Sequence, residues 1–115
     1  MKYSDLKVWQ KSMDLVDDIY SVSEQFPPFE RFGISSQLQR ASVSIPSNIA
    51  EGHGRKYTNA FLNHLSIAFG SLMEVETLIL IAERRKYMDK NKAAALLSQT
   101  DQIGKMLSGL RKSLK

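Results

Sequence analysis

A chain of 115 residues, 43% of them hydrophobic, has the size and composition of one globular domain that buries a core unaided. It has no cysteine, which excludes disulfides, thiolate metal sites and cysteine nucleophiles and fits a reducing, cytoplasmic setting. The net charge of +4 hides a division: residues 1–83 carry seven basic and ten acidic side chains, residues 84–115 nine basic and two acidic.

Taken in order, the sequence predicts four helices and no strand, because no period-2 apolar run occurs. Helix 1 is expected from about Asp5 to Ser23, with Leu6, Trp9, Met13, Val16 and Tyr20 as its core face, spaced by 3 and 4. Pro27-Pro28 ends it. Phe29 and Phe32 in the following connector are expected to plug the end of the bundle. Helix 2 is capped by Ser35 or Ser36 and runs to about Glu51, with Ile34, Leu38, Ala41, Ile45 and Ile49 as its apolar face. Gly52-His53-Gly54 reads as its glycine C-cap. Helix 3 is capped by Thr58 or Asn59 and continues to about Lys86, roughly 42 Å at 1.5 Å per residue. Helix 4 starts at Asp89 and carries the seam Leu96, Ile103, Leu107, Leu110 and Leu114. Short connections favour antiparallel neighbours. The expected fold is therefore all-α: one antiparallel up-down four-helix bundle over residues 1–115, with helix 2 interrupted by Pro46.

Two helices carry unusual patterns. Helix 3 is apolar around most of its circumference, which predicts burial on more than one side and hence a second copy of the chain as a partner. Its longest uncharged stretch, residues 57–73, contains Thr58, Asn59, Asn63, His64, Ser66 and Ser71 and suits a bundle better than a bilayer, so no membrane partner is expected. No apolar signal-peptide core occurs near Met1. Helix 2 has a polar stripe, Gln37, Arg40, Ser44, Ser47 or Asn48, and Glu51, at steps of 3 and 4. Pro46 deletes the bond to the Ser42 carbonyl at roughly 3 kcal/mol or more, and Ser42, Ser44, Ser47 and Asn48 are placed to compensate it. The expected structural and oligomer-contact residues are Arg40, Ser44, Pro46, Asn48, Glu51, Gly70 and Glu74. Gly70 would admit a neighbouring backbone, and Arg40 is the expected ion-pair partner of Glu74, within or between chains.

Catalytic patterns are missing. Neither His53 nor His64 follows a glutamate by three residues, and no H-E-x-x-H or G-x-S-x-G occurs. Gly52-His53-Gly54-Arg55-Lys56 lacks the strand and the G-K-[ST] ending of a phosphate loop, though a basic turn before a helix N-terminus can hold an anion. No enzyme activity, cofactor or metal is expected. The candidate nucleic-acid contacts are Arg55, Lys56, Arg84, Arg85, Lys86, Lys105, Arg111, Lys112 and Lys115.

The runs Gln37-Leu38-Gln39-Arg40-Ala41, Ser44-Ile45-Pro46-Ser47-Asn48-Ile49-Ala50-Glu51-Gly52, Arg55 and Ala68-Phe69-Gly70-Ser71-Leu72-Met73-Glu74-Val75-Glu76 resemble the bacterial family named for proteins encoded in intervening sequences of 23S rRNA genes. Leu6-Lys7-Val8-Trp9-Gln10 and the Pro28, Glu30, Gly33 connector fit as well, and Gln39 departs from a position that is often basic in the family. The resemblance implies an up-down bundle assembling as a ring, typically a homopentamer, without enzyme activity. A related branch, the accessory variability determinant of diversity-generating retroelements, is a basic pentameric barrel that binds nucleic acid and a reverse transcriptase. The expected partners are thus further copies of the chain, RNA or DNA, and a reverse transcriptase or other protein. The expected function is non-enzymatic binding of nucleic acid through a basic surface; the alternative is a protein-interaction scaffold.

Overall fold

The computed structural model describes residues 1–115. Four helices, α1 (Lys7–Ser23), α2 (Ile34–His53), α3 (Thr58–Arg84) and α4 (Lys90–Leu114), make up the chain, with single 3-10 turns at Tyr3–Asp5 and Pro28–Glu30. Each helix packs on its neighbour in sequence and α1 closes on α4, giving an up-down bundle of 43 × 24 × 20 Å. One end holds the α2–α3 turn, the start of α1 and the end of α4. The other holds the α1–α2 connector and the α3–α4 turn.

The core face of α2 is the expected one: Ile34, Leu38, Ala41, Ile45 and Ile49 are all buried. Pro46 interrupts the backbone hydrogen-bond ladder of α2, and helical conformation continues through it to His53. On α4, Leu96, Ile103 and Leu107 are buried and Leu110 and Leu114 pack at the margin. The seven-residue gap between Leu96 and Ile103 is filled by Thr100, which is fully buried and donates to Glu76 Oε2 at 2.8 Å. A threonine can occupy a core position when its hydroxyl is satisfied there.

Helix α1 buries a different stripe from the one expected. Val8, Leu15, Ile19 and Val22 are buried, whereas Met13 and Tyr20 are exposed and Trp9 and Val16 half-buried. Two apolar stripes lie side by side on this helix, and the core stripe contains Ser12. Its hydroxyl donates to the Val8 carbonyl at 2.7 Å, so it enters the core without an unmet hydrogen bond. The outer stripe forms one wall of an apolar groove of about 340 Å³ between α1 and α2, lined by Tyr3, Trp9, Met13, Val16, Val43 and Pro46.

The helix ends differ from expectation at three places. Helix α2 begins at Ile34, whose amide donates to Glu30 Oε1 at 3.2 Å, so a glutamate from the preceding turn caps it in place of Ser35 or Ser36. Helix α3 begins after Tyr57 with no side-chain cap from Thr58 or Asn59. At the C-terminus of α2, Gly54 has a φ of −75° and no glycine has a positive φ. Gly52 serves helix packing instead: a Cβ there would lie 2.6 Å from His64 Cβ and 2.9 Å from a Phe61 ring carbon. The left-handed C-cap occurs at the end of α3, on Lys86 (φ 64°). There Tyr87 N donates to the Ala82 carbonyl and Lys86 N to the Glu83 carbonyl, the bond pair of a Schellman turn. Asp89 caps α4 as expected, accepting from Lys92 N at 2.7 Å.

The bundle end is plugged by Phe26 and Tyr87, whose rings lie 5.6 Å apart, and not by Phe29 and Phe32. Glu30 ties the 3-10 turn inward, to Ile34 N and to the Tyr87 hydroxyl, and the phenylalanines on either side project outward. By length and composition α3 is the one helix that could cross a membrane, but Leu65, Ala68, Leu72, Val75, Leu78, Ile79 and Ala82 bury one of its sides in the bundle. Its outer side leaves Ile67, Met73, Leu80 and Ile81 exposed.

Candidate functional site

The polar stripe of α2 meets α3 in a seam of three hydrogen-bonded rungs. Gln37 Nε2 donates to Glu74 Oε2 at 3.2 Å, Ser44 and Ser71 share a hydroxyl bond of 2.8 Å, and His64 Nδ1 lies 3.0 Å from Asn48 Oδ1. The Asn48 amide nitrogen donates to the Ser44 carbonyl and hydroxyl, which turns Oδ1 toward the imidazole and makes His64 Nδ1 the donor. Glu51 stands 3.9 Å from the same nitrogen. Gly52 closes the seam by admitting His64 and Phe61.

The seam brings together Ser44, Asn48, Glu51 and Glu74 from the expected contact residues, and leaves three others elsewhere. Arg40 is exposed and forms no ion pair within the chain; Glu74 is held by Gln37. Gly70 faces open space, with nothing of this chain within 4 Å of a Cβ. Pro46 lies on the opposite flank of α2, in the groove facing α1. The polar groups flanking the proline have other work: Ser42 donates to the Gln39 carbonyl at 2.8 Å and Asn48 serves the seam.

The nine candidate cations are sorted by the up-down topology to the two ends of a 43 Å bundle. Arg55, Lys56, Arg111, Lys112 and Lys115 fall at the α2–α3 end. Arg84, Arg85 and Lys86 fall at the α3–α4 end. Lys105 sits between them on α4 and is paired with Asp101 at 3.2 Å. The nine candidates mix the two ends and leave out Lys2 and Lys7, which the start of α1 adds to the α2–α3 end. There, Lys2, Lys7, Arg55, Lys56, Arg111, Lys112 and Lys115 face only Asp5 and Glu51 as acidic residues.

None of those seven cations has an ion-pair partner within the chain. Arg111 Nε is buried with no hydrogen-bond partner, and Arg111, Lys112 and Lys115 line an open cleft of about 400 Å³ with Ser108 and Gly109. Unpaired guanidinium and ammonium groups converging on a cleft are suited to phosphate. The largest cleft, about 430 Å³, is of opposite character, with Asp14, Asp17 and Asp18 of α1 against Gln99 and Gln102 of α4, and Gln99 donates to Asp18 Oδ2 at 2.9 Å. No group of three His, Asp or Glu residues is placed to hold a metal ion.

A family model described as 23S rRNA-intervening sequence protein matches residues 4–109. The chain belongs to this family. Among solved structures it is similar to a protein of unknown function from the S23 ribosomal protein family of Bacteroides thetaiotaomicron, with a TM-score of 0.85 and 24% identity over 91% of this chain and 98% of that one. At that identity the likeness concerns the fold. No curated protein matches the chain. Within this intervening-sequence family member, the Ser44–Gly52 run that carries the resemblance supplies the α2 side of two of the three rungs and the close-packing glycine of the α2–α3 seam, together with the groove-lining Pro46.

Proposed function

We propose that this family member is a non-catalytic, self-associating protein that holds nucleic acid by its phosphates at the α2–α3 end of the bundle. The observation that carries the reading is the convergence of seven cations, none ion-paired, at one end, with the unpartnered Arg111 Nε among them. Such a surface binds polyanions with little base preference and strong salt dependence. Self-association is supported by two apolar surface features on one chain: the outer side of α3 at Ile67, Met73, Leu80 and Ile81, and the groove between α1 and α2. Ridge-in-groove contact between copies is head-to-tail, and such contacts give a ring, as in a homopentamer, where the rotation between copies closes, and a filament where it does not. A ring also multiplies the basic ends on one assembly.

A titration of labelled RNA and DNA duplexes at low salt tests the reading, with binding expected to both. Failure of the assembled protein to bind either overturns it. Light scattering tests assembly separately: a species of several chains is expected, and a 13.0 kDa monomer at micromolar concentration removes that part. The same apolar ridge favours a second reading, a protein-interaction scaffold, whose complexes would survive high salt.

A further inference from the structure

The α3–α4 end displays two nearly bare phenylalanine rings beside free cations, where the other end has the single strongly exposed ring of Tyr57. Phe29 is 78% exposed and Phe32 is 88% exposed. They are displayed by a braced turn. Both oxygens of Glu30 are engaged, one by Ile34 N at 3.2 Å and the other by the Tyr87 hydroxyl at 2.9 Å. The Phe29 and Tyr87 rings meet in a T-shaped contact, with centroids 6.4 Å apart and planes at 79°. The Arg31 guanidinium lies 5.4 Å from the centre of the Phe32 ring. Arg84, Arg85 and Lys86 are exposed on the adjoining turn and form no ion pair within the chain. Glu24, Glu30, Glu83 and Asp89 share this end; Asp89 caps α4 through Lys92 N and Glu30 holds Ile34 N and the Tyr87 hydroxyl, and none of the four is ion-paired with these cations.

Flat apolar faces set among cations match a ligand that is itself planar and apolar on its faces and anionic along its backbone. We propose that Phe29 and Phe32 are a stacking platform for the unpaired bases of a single strand, with Arg31, Arg85 and Lys86 on its phosphates. A duplex hides its base faces and gains nothing from the rings. The inference rests on the nucleic-acid reading above and adds to it a second site with a different preference.

The test compares a labelled oligo(dT) strand and a duplex of equal length, each bound by the full-length protein and by F29A/F32A and F29L/F32L. Both rings are exposed, so both variants retain the fold, as circular dichroism will register. Each ring that stacks is worth about five-fold or more in strand affinity. Both variants are expected to lose that affinity while duplex binding is unchanged, because leucine keeps apolar bulk without the π face. If both variants bind oligo(dT) as tightly as the parent protein, the stacking site is overturned and the phosphate reading stands. If F29L/F32L keeps what F29A/F32A loses, the rings are apolar anchors and stacking is again overturned. Binding of phosphatidylserine vesicles that F29A/F32A abolishes, with oligo(dT) unaffected, assigns the rings to a lipid surface instead. If the parent protein binds neither strand nor duplex, the phosphate reading and the platform fall together.

Discussion

The two ends of this bundle are closed by different connections and present different chemistry. At the α2–α3 end, a short glycine-containing turn and two chain segments bring cations together with few acids and no exposed aromatic ring except Tyr57 and, at its edge, Tyr3. At the α3–α4 end, the longer connector displays Phe29 and Phe32, and its cations are interleaved with Glu24, Glu30, Glu83 and Asp89. The difference teaches that net charge along the sequence is a poor guide to a helical bundle's surface. An up-down fold returns every second turn to the same end, so residues far apart in sequence pool their charge there while sequence neighbours along a helix are spread apart.

Salt separates the ends most strongly. If five cations of the α2–α3 end each meet a phosphate, raising salt from about 50 to 200 mM weakens duplex binding by about two to three orders of magnitude. The strand preference contributed by Phe29 and Phe32 should persist over that range, measured as the ratio of strand to duplex affinity. A ratio that collapses with the rest would merge the two ends into one electrostatic surface.

Stability offers a second contrast. Gly52→Ala pushes a methyl group into His64 and Phe61 at the α2–α3 end and is expected to cost about 1–3 kcal/mol in urea unfolding. Gly70→Ala, on the open face of α3, is expected to stabilise by up to about 1 kcal/mol through helix propensity. A penalty at Gly70 in the assembled protein alone would reveal a neighbouring subunit there. At the opposite end, Tyr87→Phe removes the hydroxyl that holds Glu30 and should cost about 1–2 kcal/mol, with a loss of strand preference as the turn loosens. Lys86→Gly relieves the left-handed backbone and should stabilise by about 1 kcal/mol. The smallest expected effect is Ser44→Ala in the seam, about 1 kcal/mol or less, because Ser71 stays partly accessible to water.

The fold was largely legible, and the reasons lie in particular residues. On α2, isoleucine, leucine and alanine recur at the helical period with polar residues elsewhere, so one face admits one reading. On α1 two adjacent stripes compete, and Ser12 disguises the buried one while Trp9 and Tyr20 advertise the other. Capping by Glu30 from outside the helix, and a left-handed lysine where glycine is usual, depend on contacts that composition does not record. The polar stripe of α2 was recognisable from its spacing, but its partners on α3 were not: Gln37 took Glu74, and Arg40 was left in solvent. The candidate interface was legible only as a list of cations. Which of them share an end follows from the topology, and the aromatic pair was mistaken for a core plug because exposed phenylalanine is unusual.

Charge reversal at each end tests the central division most directly. One variant carries Arg55→Glu, Lys56→Glu, Lys112→Glu and Lys115→Glu; the other carries Arg84→Glu, Arg85→Glu and Lys86→Glu. The ends are separated by far more than the ~10 Å over which charge acts at moderate salt, so their effects on a phosphate contact are independent. The first variant should lose duplex binding by about a hundred-fold or more and the second should remain within about three-fold of the parent protein. Equal losses in the two variants would contradict the assignment of phosphate binding to the α2–α3 end.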